Sequence, residues 1–283
     1  MSKIYLDKTN KDYISEGDNI FRYALVVEYL GNKLKGSQYQ PNQRTVQGEI
    51  EHALSVLFQK EVKTYFAGRT DAGVNAKFQV VHFDFEKIDT NKVLYSINSI
   101  LPKDISVSNL VEIDKDFHSQ KSAIYKHYRY TINNASNRSV WDEISSHIRY
   151  DLDVSKMREA LSFIVGKHDF SAFRCPHTSN PATVCNLIEA NCEKKGNMIY
   201  FDFVGDRFLY NMIRIIIGSV IEVGRGVQDI FYLKNILETK DRLQAGPTAS
   251  AVGLTLMYID YSKKYNMILN KEAINENLFC KAS

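Results

Sequence analysis

Val62-Lys63-Thr64-Tyr65-Phe66-Ala67-Gly68-Arg69-Thr70-Asp71-Ala72-Gly73-Val74-Asn75-Ala76 places a glycine-bracketed turn between two apolar, aromatic-rich segments, 62–66 before it and 78–85 after it. The pattern predicts two strands joined by a tight loop. Gly68 and Gly73 can adopt backbone angles closed to other residues and so fix a sharp shape. Asp71 is the only carboxylate of the loop, and its small neighbours Thr70 and Ala72 leave room for another group to approach it. Two readings stand at this level: a catalytic acid presented at a strand end, or a carboxylate that caps the turn or pairs with Arg69.

Upstream, 1–20 is polar and aperiodic and reads as an arm, 22–30 (RYALVVEYL) as a buried strand, and 31–44 as a polar loop. Val46, Ile50, Ala53, Leu54, Leu57 and Phe58 fall on one face of a helix spanning 45–60. Downstream, a helix over 91–100 is stopped by Leu101-Pro102, and a strand follows at 105–113. The polar connection 114–119 is the expected domain boundary.

The second half opens with a strand at 123–133. Alternation puts Lys126, Tyr128, Tyr130 and Ile132 on one face. That face is either a floor for a polar aromatic ligand or the outside of an edge strand. An irregular excursion (134–150) leads to a helix capped by Asp153 and ended by Gly166, then to a basic loop (167–181) and a hairpin turning at 195–197. The segment 206–226 reads as one buried helix, with Arg207, Asn211, Arg214 and Gly218 along a single stripe. A buried arginine is costly without a partner, so Arg214 must meet a carboxylate, Asp71 being an attractive one, or an anionic ligand. A short amphipathic helix, a loop at 244–250 and a last strand at 252–261 complete the pattern, and 263–283 reads as a tail.

The expected fold class is α+β, two related lobes (21–114 and 115–262) with strands and two helices in each and a sheet that can run through both. The 283 residues carry a formal net charge of +3, which permits a polyanionic partner without demanding one. There is no apolar leader and no run near the ~20 residues needed to span a bilayer, so a cytoplasmic protein with no membrane partner is expected. The four cysteines form no disulfide framework, and His168, Cys175, His177 and Cys185 fit no common zinc spacing, so no metal is expected. Walker-type and dinucleotide glycine loops and local Ser-His-Asp or Cys-His signatures are absent, which leaves phosphoryl transfer, nucleotide redox chemistry and acyl transfer unsupported.

Several segments, in order, carry a resemblance: Gln43-Arg44-Thr45-Val46-Gln47-Gly48, Ala67 to Val74, Gln79-Val80-Val81-His82-Phe83, Tyr128-Arg129-Tyr130, Gly166 to Ser171, the Phe208–Gly224 segment, and Gly246-Pro247-Thr248-Ala249 ahead of Gly253-Leu254. With these the chain resembles the TruA family of tRNA pseudouridine synthases from about Tyr23 to Tyr261. The resemblance implies a pseudouridine synthase fold, two RRM-like lobes with a largely antiparallel sheet and a cleft between them. It implies an isomerase acting on tRNA, typically on uridines 38–40 of the anticodon stem-loop, working as a homodimer without a cofactor.

By the same resemblance Asp71 matches the catalytic aspartate, nucleophile or base toward a flipped uridine, and Arg214 its paired arginine, which would hold the Asp71 pKa low. Tyr128 matches the tyrosine that stacks on the base, Arg69 the arginine that fills the space the base vacates, and Leu254 an apolar pocket residue. Apart from the resemblance, the cations Lys33, Lys35, Arg44, Lys121, Lys126, Arg174 and Arg225 are candidate phosphate contacts. Asn75, Ser37, Arg207 and Gln120-Lys121 depart from the family pattern and put substrate details in doubt. Action on other tRNA or ribosomal sites, or RNA binding and tRNA folding without catalysis, are the competing readings.

Overall fold

The computed structural model describes residues 20–175 and 182–270. The arm expected at the N-terminus, apart from Ile20, part of the basic loop and the end of the tail lie outside them.

Ten strands form one sheet. The first half supplies β1 (Phe21–Tyr29), α1 (Val46–Phe58), β2 (Tyr65–Phe66), β3 (Asn75–Phe85), α2 (Thr90–Ile100) and β4 (Ile105–Ile113). Thr45 caps α1, accepting from Gly48 N–H, and Asp89 caps α2, accepting from Asn91 and Lys92 N–H. The second half supplies β5 (Tyr125–Asn133), the two-residue β6 (Ser146–His147), α3 (Val154–Ser162), β7 (Gly166–Asp169), β8 (Val184–Lys195), β9 (Met198–Gly205), α4 (Met212–Gly224), α5 (Tyr232–Thr239), β10 (Leu254–Asp260) and α6 (Lys263–Leu269).

The strand order is β4-β1-β3-β10-β5-β9-β8-β7, with β2 beside β3 and β6 beside β5. Parallel pairing is confined to β3–β10 and β5–β6, so the largely antiparallel α+β sheet expected from the sequence is present and continuous. The last strand, β10, lies between the first-half strand β3 and the second-half strand β5. The two halves are therefore joined by main-chain hydrogen bonds, and the connection at 114–119 is packed, with Phe117 and Ser119 fully buried.

Successive strand residues point to opposite faces. In β1 all of Tyr23 to Val27 are buried, so both faces are covered there. In the second half the second face is only partly covered, with Thr131, Asn133 and Thr255 buried. Tyr128, Tyr130 and Ile132 stand opposite the buried Phe203, Phe201 and Ile199, whereas the other face carries a polar set in which Asp202 binds both His127 and Arg129. The face bearing Tyr128 thus belongs to an interior strand, not an edge.

Four expectations are corrected. The helix expected over 206–226 begins only at Met212. Asp206 is tied to Asn186 through its own N–H (3.1 Å) and its carboxylate (2.9 Å), and Asn211 takes a left-handed conformation (φ 60°), so the chain before 212 is not helical and Arg207 leaves the stripe. Gly166 (φ 113°) does not end α3, which stops at Ser162 with Phe163 as its C-cap; it turns the chain into β7, which occupies the start of the expected basic loop. The excursion at 134–150 contains β6. The tail begins as α6, which packs on β4 and β1 and leaves the backbone carbonyl oxygens of Ile268 and Leu269 to Asn109. Among the described residues no helix is long and apolar enough to cross a membrane.

Candidate active site

The loop between β2 and β3 is held from behind by side chains of other elements. Ala67 N–H donates to Val80 carbonyl oxygen (2.8 Å), Gln79 Nε2 to Gly68 carbonyl oxygen (2.9 Å) and Lys126 Nζ to Ala67 carbonyl oxygen (2.9 Å). Thr70 is bonded on three sides: its N–H donates to Ser37 Oγ (2.8 Å), its carbonyl accepts from Ser37 N–H (3.1 Å), and its hydroxyl meets Tyr29 Oη (2.8 Å). Gly73 has φ +83°, the left-handed turn that the sequence predicted. Gly68 is needed for a different reason: a Cβ there would stand 2.8 Å from Lys126 Nζ. So braced, the loop leaves Asp71 partly exposed and Arg69 exposed, with no hydrogen bond from the Arg69 side chain to another described residue.

Arg214, on the first turn of α4, faces this carboxylate across the junction of the two halves. Its Nη1 lies 3.5 Å from Asp71 Oδ2, a long contact. Its shorter bonds go elsewhere, from Nη1 to Asn211 Oδ1 (2.7 Å) and from Nε to Ala249 carbonyl oxygen (2.8 Å). Ala249 N–H in turn donates to the Arg214 carbonyl (3.0 Å), so the 244–250 loop and the arginine hold each other. Asn211 spends its side chain on Arg214 and does not cap α4.

This arrangement reverses one electrostatic expectation. Burial raises the Asp71 pKa above the ordinary carboxylate value, and Arg214 only partly offsets it. One contact at 3.5 Å, from a guanidinium already bonded to two other acceptors, does not outweigh desolvation.

Tyr128 packs edge-on against Phe208 (ring centroids 5.1 Å apart, 78° between planes). Its hydroxyl has no hydrogen-bond partner among the described residues, and burial with the neighbouring Tyr29 and Asp71 pushes its pKa up, so it stays protonated. Leu254, buried, opens β10 opposite Tyr130 and one register step from the Thr255–Asn75 pair. Asp71, Arg214 and Tyr128 are thus brought together from three elements. Arg44 is not free for a phosphate: it forms a bidentate pair with Asp104 (2.6 and 2.8 Å) and a further one with Glu49 (2.6 Å), which holds the polar loop to the start of β4.

The departures at 37 and 75 are internal. Ser37 and Asn75 are both buried. Asn75 accepts from Gly31 N–H (2.8 Å) and donates to the carbonyl oxygens of Val252 (2.9 Å) and Leu254 (3.4 Å), stitching β3 to β10. Gln120 and Lys121 are exposed, and Arg207 donates to Ala182 carbonyl oxygen (3.0 Å). His82 is buried against Ser119 (2.9 Å) with its pKa lowered to about 4, a neutral imidazole with a packing role. Asn211, Ala249, Tyr29 and Gln79 were not singled out for the site from sequence. The available signals were the place of Asn211 on one stripe with Arg214 and the presence of Gln79 and Ala249 in segments that carry the resemblance.

A family profile described as tRNA pseudouridine synthase matches residues 160–262. A protein named tRNA pseudouridine synthase A from Vibrio campbellii is 39% identical over 249 residues, covering 87% of this chain and 94% of that protein. One of the same name from Brevibacillus brevis is 39% identical over 242 residues, covering 85% and 99%. Among solved structures, one titled "Crystal Structure of a Cbf5-Nop10-Gar1 Complex" aligns with a TM-score of 0.30 at 12% identity, over 74% of this chain and 55% of that one, too slight a likeness to carry an argument.

Proposed function

The chain belongs to the tRNA pseudouridine synthase A family, and from that premise we propose that it isomerises uridine to pseudouridine in the tRNA anticodon stem-loop, at positions 38–40, with Asp71 as nucleophile or base. The reaction breaks the N1–C1′ bond and forms C5–C1′ within one nucleotide. The proton lost from C5 is balanced by the one gained at N1, so uridine and product have the same atoms and no redox or group-transfer partner is required. The observation that carries the reading is the meeting of Asp71, Arg214 and Tyr128 at the junction of the two halves.

The target base must leave its stack to reach Asp71, at a cost of a few kcal/mol. Stacking on Tyr128 recovers about 1–3 kcal/mol, and the exposed Arg69 fills the space left in the stem. Leu254 forms part of the apolar wall. Asp71 has to be ionised for either role. RNA binding that shortened the 3.5 Å contact to an ordinary charge-assisted hydrogen bond, roughly 2.7–2.9 Å, would favour that form. Arg214 is then the electrostatic partner and Asn211 its positioning residue.

A homodimer in which each tRNA touches both subunits is part of the same reading, and light scattering at twice the chain mass would support it. The decisive experiment for the substrate is pseudouridine mapping of total RNA from cells with and without the protein. Loss confined to positions 38–40 of tRNAs is expected. Loss at other tRNA positions or in ribosomal RNA would replace the anticodon assignment.

A further inference from the structure

Lys126 stands two residues before Tyr128 on the same face of β5, about 7 Å along the strand. Its ammonium has three donors, of which one is used, to Ala67 carbonyl oxygen (2.9 Å). Among the described residues it has no carboxylate partner. The charged neighbours on the loop are otherwise placed: Asp71 contacts Arg214, and the Arg69 side chain bonds to no described residue. The missing side chain of Gly68 keeps the space beside Nζ open, since a Cβ would stand 2.8 Å away. The Gly68 N–H belongs to the trans peptide whose carbonyl, that of Ala67, faces Nζ, and so points away, whereas the Arg69 N–H donates to no described acceptor.

A half-buried cation with spare donors, no counter-charge and a free amide on the next peptide is an incomplete anion site. We propose that Lys126, with the Arg69 backbone N–H, receives a backbone phosphate of the target nucleotide while Tyr128 holds its base. The two groups sit one strand step apart, so a nucleotide bound by both would be fixed at base and phosphate together. Burial without a counter-charge lowers the Lys126 pKa to about 8.

The inference rests on the tRNA reading above and is tested separately from it. Binding of substrate tRNA is measured against salt for Asp71→Asn, which blocks turnover, alone and combined with Lys126→Met or Lys126→Arg. One lost phosphate contact should reduce the slope of log affinity against log salt by about 0.9, and arginine should restore it. An unchanged slope with Lys126→Met, even with weakened activity, would show that Lys126 only braces the loop and would overturn the proposal. Should Lys126→Met not fold, the otherwise native protein is titrated with stem-loop RNA carrying a neutral methylphosphonate on either side of the target uridine. Weaker binding at one of the two positions is expected, and equal binding at both to unmodified RNA overturns it. Absence of pseudouridine formation by the unmodified protein would overturn the tRNA reading as well.

Discussion

Asp71 is a carboxylate whose burial outweighs its cation in the free protein. A group whose folded pKa lies above its unfolded value adds stability that is full below the unfolded pKa and lost as pH rises through the folded one. Ionised at neutral pH, Asp71 therefore weakens the fold. Asp71→Asn should lower activity by at least ~10³-fold while leaving the melting temperature at pH 7 equal to or above that of the unmodified protein. The gain should vanish in acid, below the ordinary carboxylate value of 3.8. A fall in melting temperature at pH 7 would mean that Arg214 depends on Asp71 more than its bonds to Asn211 and Ala249 indicate.

At this scale the sequence pointed to residues that the structure brings together and was poor on how they are held. Asp71 announced itself by its glycines and small neighbours, and Arg214 by its cost in an apolar segment. The long Asp71 contact was not legible, because it depends on two acceptors, one of them a backbone carbonyl, that no residue type signals. Arg44 failed as a phosphate candidate for a related reason: its partner Asp104 is 60 residues away in sequence.

Among the elements, α4 and the 244–250 loop form the second half of the site and approach each other backbone to backbone. A Cβ at Gly218 would fall 1.7 Å from Pro247 carbonyl oxygen, and Gly246 N–H donates to Ser219 Oγ (2.9 Å). The loop in turn delivers Ala249 carbonyl oxygen to Arg214. Gly218→Ala must push the loop outward, at a cost of about 1–3 kcal/mol or more, and should reduce activity beyond what the stability loss explains. Denaturant unfolding and kcat measured on the same variant check both. The apolar period made α4 legible, but its start was misplaced by six residues because the Asp206–Asn186 bonds that keep the preceding segment out of the helix are tertiary.

For the whole molecule, β10 makes one sheet of two halves, and the site lies where they join. The α+β class and most strands followed from alternation and turn chemistry. The insertion of the last strand between β3 and β5 did not, since pairing order over such distances leaves no local mark. Asn75 is a side-chain tie across that join. Asn75→Ala leaves Gly31 N–H and the Val252 carbonyl unpaired and should destabilise the protein by about 1–3 kcal/mol, with one cooperative transition retained. Two separated transitions in calorimetry would instead indicate halves that unfold independently.

The central claim is that this junction isomerises uridine in tRNA through Asp71. Its most direct test is incubation of purified protein with unmodified tRNA transcript under multiple turnover, followed by site-resolved detection of pseudouridine. Product is expected from the unmodified protein and none from folded Asp71→Asn that still binds tRNA. Product at comparable rates from Asp71→Asn, or tRNA binding without product from the unmodified protein, would contradict it.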